Sequence, residues 1–159
     1  MGSKHSSRRE EAVIHVECAV PIRATRAEAW RMLRAKVEAP QRFLPRVVAC
    51  DVTERREDEV VRRVTFDDGV AVTERVILVP EAEVVFQLVD HPKFEGEIHN
   101  VLFETGEVLW LSFYFQGSGK PGVELGRAEY EQLRDGFARA VLTAARQIEM
   151  GETAAFDAS

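Results

Sequence analysis

The residues best placed to do chemistry are an arginine and a glutamate on either side of a turn. Two strand-like runs, Val60 to Phe66 and Val70 to Leu78, meet at Asp67-Asp68-Gly69. If that is a three-residue loop with Gly69 in the left-handed conformation, Phe66 opposes Val70, Val64 opposes Val72 and Arg62 opposes Glu74. Val60, Val64, Phe66, Val70, Val72, Val76 and Leu78 then share one face, and one charged pair sits within it. A two-residue Asp68-Gly69 turn would instead set Arg62 against Arg75 and mix polar with apolar residues on both faces, so the first register is preferred. On an apolar face such a pair has two uses. It can neutralise itself as an ion pair near the sheet rim. Or it can anchor the polar end of a ligand: the guanidinium forks onto a carboxylate, phenolate or enolate, while a desolvated carboxyl accepts a proton.

A second polar candidate comes from the hairpin around Thr105-Gly106. Any even-length loop there pairs Leu102 with Leu109, Asn100 with Leu111 and Ile98 with Phe113, pointing Asn100 inward and His99 outward. Leu109, Leu111, Phe113 and Phe115 then share the inner face, leaving Trp110, Ser112 and Tyr114 on the outer one. An odd-length loop exchanges the two and makes His99 the inward residue. An inward Asn must find hydrogen bonds, from a ligand, an internal water or the Arg62 pair. The aromatic residues Phe66, Phe86, Phe113, Tyr130 and Phe137 belong either to a filled core or to the wall of a pocket.

Other chemistries find no pattern. His5, His15, His91 and His99 lack ligand spacing, so no metal is expected, and no motif calls for a cofactor. Cys18 and Cys50 lie in apolar strand-like segments, could occupy neighbouring strands, and read as inert packing with no activating base in view. Gly117, Gly119 and Gly122 do not follow a strand-to-helix phosphate-binding pattern, and there is no nucleophile elbow.

The elements that must position these groups follow from periodicity. Ala12 to Pro21 alternates as a strand; Thr25 with Glu28 is a capping box ahead of Trp30, Leu33 and Val37 at helical spacing. Pro40 and Pro45 bracket one further turn. From Val47 to Gln116 the period is two, with turn signals that divide the stretch into six strands. After a Gly/Ser loop from Gly117 to Gly122, Tyr130, Leu133, Phe137, Val141, Ala144 and Ile148 mark one face of a long helix that Gly151 ends. The expected fold is α+β, a curved seven-stranded antiparallel sheet wrapped around a long C-terminal helix, with two short helices after the first strand. One domain spans 12–151, flanked by an arm or tag remnant at 1–11 and a frayed tail at 152–159.

Composition narrows the function. The chain has 159 residues and a net charge of −6, which disfavours nucleic acid and anionic lipid as partners. Its longest apolar stretch, Val108 to Phe115, is far too short for a membrane span. Two cysteines and no signal-like segment point to the cytoplasm.

The element order, with Ala27-Glu28-Ala29-Trp30-Arg31-Met32-Leu33, Glu38-Ala39-Pro40-Gln41-Arg42-Phe43-Leu44-Pro45, and Arg62-Arg63-Val64-Thr65-Phe66 running through Asp67-Asp68-Gly69 to Thr73-Glu74-Arg75-Val76, resembles the START-like or birch-pollen-allergen-like helix-grip superfamily (SRPBCC). Within it the chain is most similar to the AtaL-like subgroup. The resemblance implies a cavity between sheet and long helix that holds a hydrophobic small molecule, lined by Arg62, Phe66, Val72, Glu74, Phe86 and Ile98, and by Asn100, Leu111, Phe113, Tyr130 and Phe137. It also admits an enzyme of the polyketide cyclase or dehydratase kind, with Glu74 as base, Arg62 stabilising an enolate, and Asn100 or Tyr130 orienting a carbonyl. A third reading is a protein-interaction module whose core is filled by its own side chains. Trp110 and Tyr114 on the outer face either mark a homodimer contact or decorate the sheet.

Overall fold

Alternating side chains can bury one face only if neighbouring strands align their apolar sets, and this chain does so with seven of them. In a computed structural model that describes residues 13–151, the order is β1 (Ile14–Ile22), α1 (Arg26–Glu38), a 3₁₀ turn (Pro40–Arg42), β2 (Val47–Arg56), β3 (Glu59–Phe66), β4 (Ala71–Val79), β5 (Glu83–Asp90), β6 (Phe94–Thr105), β7 (Val108–Gly119) and α2 (Arg127–Met150). The arm and tail expected at 1–11 and 152–159 lie outside the described residues. The strands form one antiparallel sheet in the order β1-β7-β6-β5-β4-β3-β2. This is the expected α+β helix-grip arrangement: a meander of six hairpin-linked strands with β1 added to its β7 edge.

The edges explain two details. Pro21 sits inside β1, where a missing donor is tolerated because an edge strand has a neighbour on one side only. Cys18 and Cys50 do not occupy neighbouring strands: they lie in β1 and β2, at opposite edges, and both thiols are free. The whole meander intervenes between the strand that opens the chain and the one that follows α1.

The β3–β4 hairpin adopts the preferred register, with Arg62 opposite Glu74, Val64 opposite Val72 and Gly69 at φ +86°. Val70, expected on the inner face, is exposed at the mouth of the turn. The β6–β7 hairpin keeps the expected faces but shifts its register by two residues: Asn100 pairs with Phe113, Ile98 with Phe115 and Leu102 with Leu111. The loop is Gly106-Glu107 instead of Thr105-Gly106, because Gly106 has φ +61° while Glu107 has an ordinary one, and a type II′ turn puts its glycine first. A two-residue shift leaves each side chain on its own face. Farther along, Gly96 pairs with Gly117, and a Cβ on either would strike the backbone of the facing strand. Such a glycine pair lets two strands approach and bend, the curvature a wrapping sheet needs.

Both helices lie on the concave face. At the start of α1, the Thr25 hydroxyl accepts from Glu28 N at 3.1 Å. Arg26 ties this end to the sheet through Glu81 O, at 2.6 Å, and Glu104. At the other end a bidentate Arg55–Glu38 pair, at 2.7 and 2.8 Å, joins α1 to β2. α2 packs chiefly on β1 and β7, and only the later part of its stripe is buried, from Phe137 through Val141 and Ala144 to Ile148. Leu133 is half-buried and Tyr130 is 41% exposed. The first half of α2 therefore stands at the margin of the core.

Candidate functional site

The concave face reads as rows of side chains running across the sheet. One row aligns Phe113, Asn100 and Val84; the next Phe115, Ile98, Phe86, Val76 and Val60; the third brings Leu88, Glu74 and Arg62 together. Most members are buried, and so are Leu111, Val72 and Phe137 among the expected lining residues. Ile98 and Leu88 are exceptions: both keep accessible surface although they lie in mid-sheet on the concave side. Phe66 is half-buried at the end of β3, beside Val47 of β2, and Tyr130 is exposed on the first turn of α2. The structure thus brings most of the expected set together and leaves Phe66 and Tyr130 at its margins.

Arg62 and Glu74 are 5% and 8% exposed and joined by a 3.3 Å contact from Nη2 to Oε1. The backbone explains where the rest of the guanidinium goes. The last carbonyls of a helix lack intrahelical donors. In α1, Ala35 O accepts from Ala39 N, while Arg62 Nη1 donates to Val37 O at 2.8 Å and reaches Lys36 O at 3.4 Å. A cation here also meets the negative end of the helix dipole. Arg62 Cζ lies 5.2 Å from the Phe86 ring centroid, and Nε is buried with no hydrogen-bond partner among the described residues. Arg62 is therefore first a buried C-terminal cap for α1, neutralised by Glu74.

Lys36 is the group the sequence reading passed over. It sits in the last turn of α1, and its Nζ lies 4.9 Å from the Phe113 ring centroid, so the side chain crosses the concave face from α1 toward β7. Burial, and secondarily the nearby Arg62 charge, push its ammonium down to about 8 from an ordinary 10.5. The residue is half-buried and keeps part of its accessible surface. Lys36 makes no side-chain hydrogen bond or salt bridge to any described residue. A sequence signal existed: Lys36 stands four residues after Met32 and three after Leu33, both buried, which places it on the apolar face.

Asn100 is 4% exposed on the concave face, directly across from Phe113, and its carboxamide has no hydrogen bond to any described residue. His99 faces the other way. It stacks on Tyr114 with centroids 4.4 Å apart and contacts Glu83 at 3.0 Å and Glu97 at 3.3 Å. On the same convex side Trp110 stacks on Phe103 and donates to Thr105 Oγ1 at 2.8 Å, so both outer aromatics are half-buried by their own neighbours.

Two recesses open on the surface. One of about 530 Å³ lies between the end of β1, the β6–β7 turn and Glu149 of α2. It is at the far end from the Arg62 row, and it is lined by residues that end β1, lead into α1, form the β6–β7 turn or close α2. The other, about 270 Å³, is apolar and follows Leu133, Gly136, Phe137 and Ala140 on the striped flank of α2. The smaller one is a shallow depression on α2, and of the expected lining residues it includes Phe137. Among the described residues no group of His, Cys, Asp and Glu is arranged to hold a metal ion, and no helix is long and apolar enough to cross a membrane.

Comparison with known proteins agrees with this architecture. The family model AtaL, acetylaranotin biosynthesis cluster protein L, matches residues 18–149. Among solved structures, the di-domain aromatase/cyclase StfQ from the steffimycin biosynthetic pathway superimposes with a TM-score of 0.74 at 16% identity, over 98% of this chain and 56% of that one. The chain thus spans about half the length of that di-domain protein. The ZhuI aromatase/cyclase from Streptomyces sp. R1128 gives 0.65 at 18% identity, covering 84% of this chain and 94% of the other. Ara h 8.0201 gives 0.65 at 12% identity, covering 86% and 97%. At these identities the likeness is one of fold. No curated protein sequence matches the chain.

Proposed function

We propose that this chain, which belongs to the AtaL family, binds an apolar small molecule against the concave face beneath the first half of α2, with the ligand's polar oxygen held by Lys36 and Asn100. The observation that carries this reading is a pair of polar side chains on an apolar face with no side-chain hydrogen bond or ion pair to any described residue. A ligand oxygen that accepts from both groups adds hydrogen bonds worth about 0.5–3 kcal/mol each, the one to the ammonium at the upper end. Phe113, Phe86 and Ile98 form the apolar floor, and Leu133 with Phe137 the wall on α2. This is the usual composition of a small-molecule site, mostly apolar with a few placed polar groups. The net charge of Lys36, Arg62 and Glu74 together favours an oxygen that is anionic or strongly polarised.

The fold's resemblance to two aromatase/cyclases supports a substrate of aromatic or polyketide type, but the polar residues point to binding first. Glu74 as a base would have to release Arg62, and Arg62 would have to release the end of α1. The direct test is titration with 2-naphthoate, an apolar aromatic anion, followed by calorimetry and thermal shift. The full chain should bind it and be stabilised, and Lys36→Met should weaken binding by about tenfold or more, the scale of one charged hydrogen bond. Equal affinity of the full chain and Lys36→Met would overturn the assignment of the polar end.

A further inference from the structure

The proposed site holds an amine of an unusual kind, and its surroundings suggest more than a point charge. Lys36 reaches from α1 to the Phe113 ring, close enough to Arg62 to feel its charge, with no carboxylate within salt-bridge distance among the described residues. Glu74, the buried carboxylate of this region, is already engaged by Arg62. Asn100 stands opposite Phe113 with its amide making no hydrogen bond to any described residue. An amine desolvated in an apolar pocket and next to a second cation is the environment that turns lysine into a nucleophile.

Resting on the site assigned above, we propose that Lys36 forms an imine with the carbonyl of an apolar ketone or aldehyde, Asn100 holding the carbonyl oxygen as it departs. The neutral amine adds its lone pair to the carbonyl carbon, and the C=O π pair becomes an oxyanion that takes a proton to give a carbinolamine. The nitrogen lone pair then expels that oxygen, which leaves as water, and a C=N bond forms. In sum, ammonium and carbonyl give a protonated imine and one water, and neither oxidant nor reductant is needed. Asn100 suits the first half of this sequence, because its amide N–H can donate to the oxyanion. Phe113 suits the product, since the iminium keeps a positive charge over the ring face. With the ammonium at about 8, roughly a quarter of Lys36 is neutral at pH 7.5, against about one part in a thousand for an ordinary lysine.

The experiment treats the full chain with 2-naphthaldehyde and sodium cyanoborohydride at pH 7.5 and maps the adducts by peptide mass spectrometry. The expected result is reduction onto Lys36 at least about tenfold faster than onto Lys4, Lys93 or Lys120. Lys36→Arg keeps the charge without a primary amine; it should still bind 2-naphthoate and lose the selective adduct. Adducts spread evenly over the four lysines, while 2-naphthoate still binds in a Lys36-dependent way, would overturn the imine and leave the binding site standing. Failure of both probes to bind would overturn the two together.

Discussion

Two cations reach the concave face and meet different fates. Arg62 arrives from β3 and finds three acceptors: the carboxylate of Glu74 and the carbonyls of Val37 and Lys36. Lys36 arrives from α1 and finds an aromatic ring but no acceptor among the described residues. Both are expensive to bury. The first cost is met within the protein, where it joins a helix end to the sheet. The second is left open, and an unmet cost inside an apolar trough is what a binding partner can relieve. The charge that looks most like an active-site residue in the sequence is thus the structural one, and the charge that reads as part of a solvated helix face is the candidate for chemistry.

Mutation should separate the two regions by sign. The largest effect is expected for Arg62→Met, which strands Glu74 and uncaps α1: stability should fall by about 3–5 kcal/mol in urea unfolding. Adding Glu74→Leu should return part of this, leaving a deficit of about 1–3 kcal/mol for the undonated Val37 carbonyl. A loss under 1 kcal/mol for Arg62→Met alone would erase the distinction drawn here.

Lys36→Met should go the opposite way and stabilise the chain by about 1–3 kcal/mol at pH 7. The pH dependence follows from the shift. The unfolded chain keeps the Lys36 proton up to about 10.5 and the native chain releases it near 8. Between those values the unfolded state binds more protons, so the native protein gains stability relative to Lys36→Met as pH rises through this window. Thermal melts of both proteins from pH 7 to 10 should show the mutant's advantage shrinking above pH 8. An advantage independent of pH would mean that the ammonium is not desolvated. The smallest effect is expected for Asn100→Leu, a gain of about 1 kcal/mol or less from removing an amide the fold does not satisfy. A loss of 2 kcal/mol or more would show that the amide has a structural partner and belongs with Arg62.

Much of the fold was legible because its signals are local. Gly69 placed the β3–β4 turn and through it the register that sets Arg62 across from Glu74. The Thr25–Glu28 cap started α1, and the stripe from Tyr130 to Ile148 marked α2. The misreadings share a cause. The β6–β7 loop was displaced by two residues because alternation constrains only which face a residue takes, while the turn is decided by where Gly106 can adopt a positive φ. Cys18 and Cys50 were brought too close because strand order across a sheet is not written in either segment. The exposure of Tyr130 was not legible because periodicity shows which side of α2 is apolar, not how far along the helix the sheet reaches.

What the chain's own pattern determined was the set of elements and their inward faces, since period, caps and turn residues act over a few neighbours at a time. What only the folded arrangement decided was which buried polar group is satisfied. Both Nη atoms of Arg62 find acceptors because α1, far from it in sequence, ends against β3 and offers bare carbonyls, while Nε is left without one among the described residues. The side chains of Lys36 and Asn100, set near Phe113 by a helix and a neighbouring strand that only tertiary packing brings together, have no hydrogen-bond partner among the described residues.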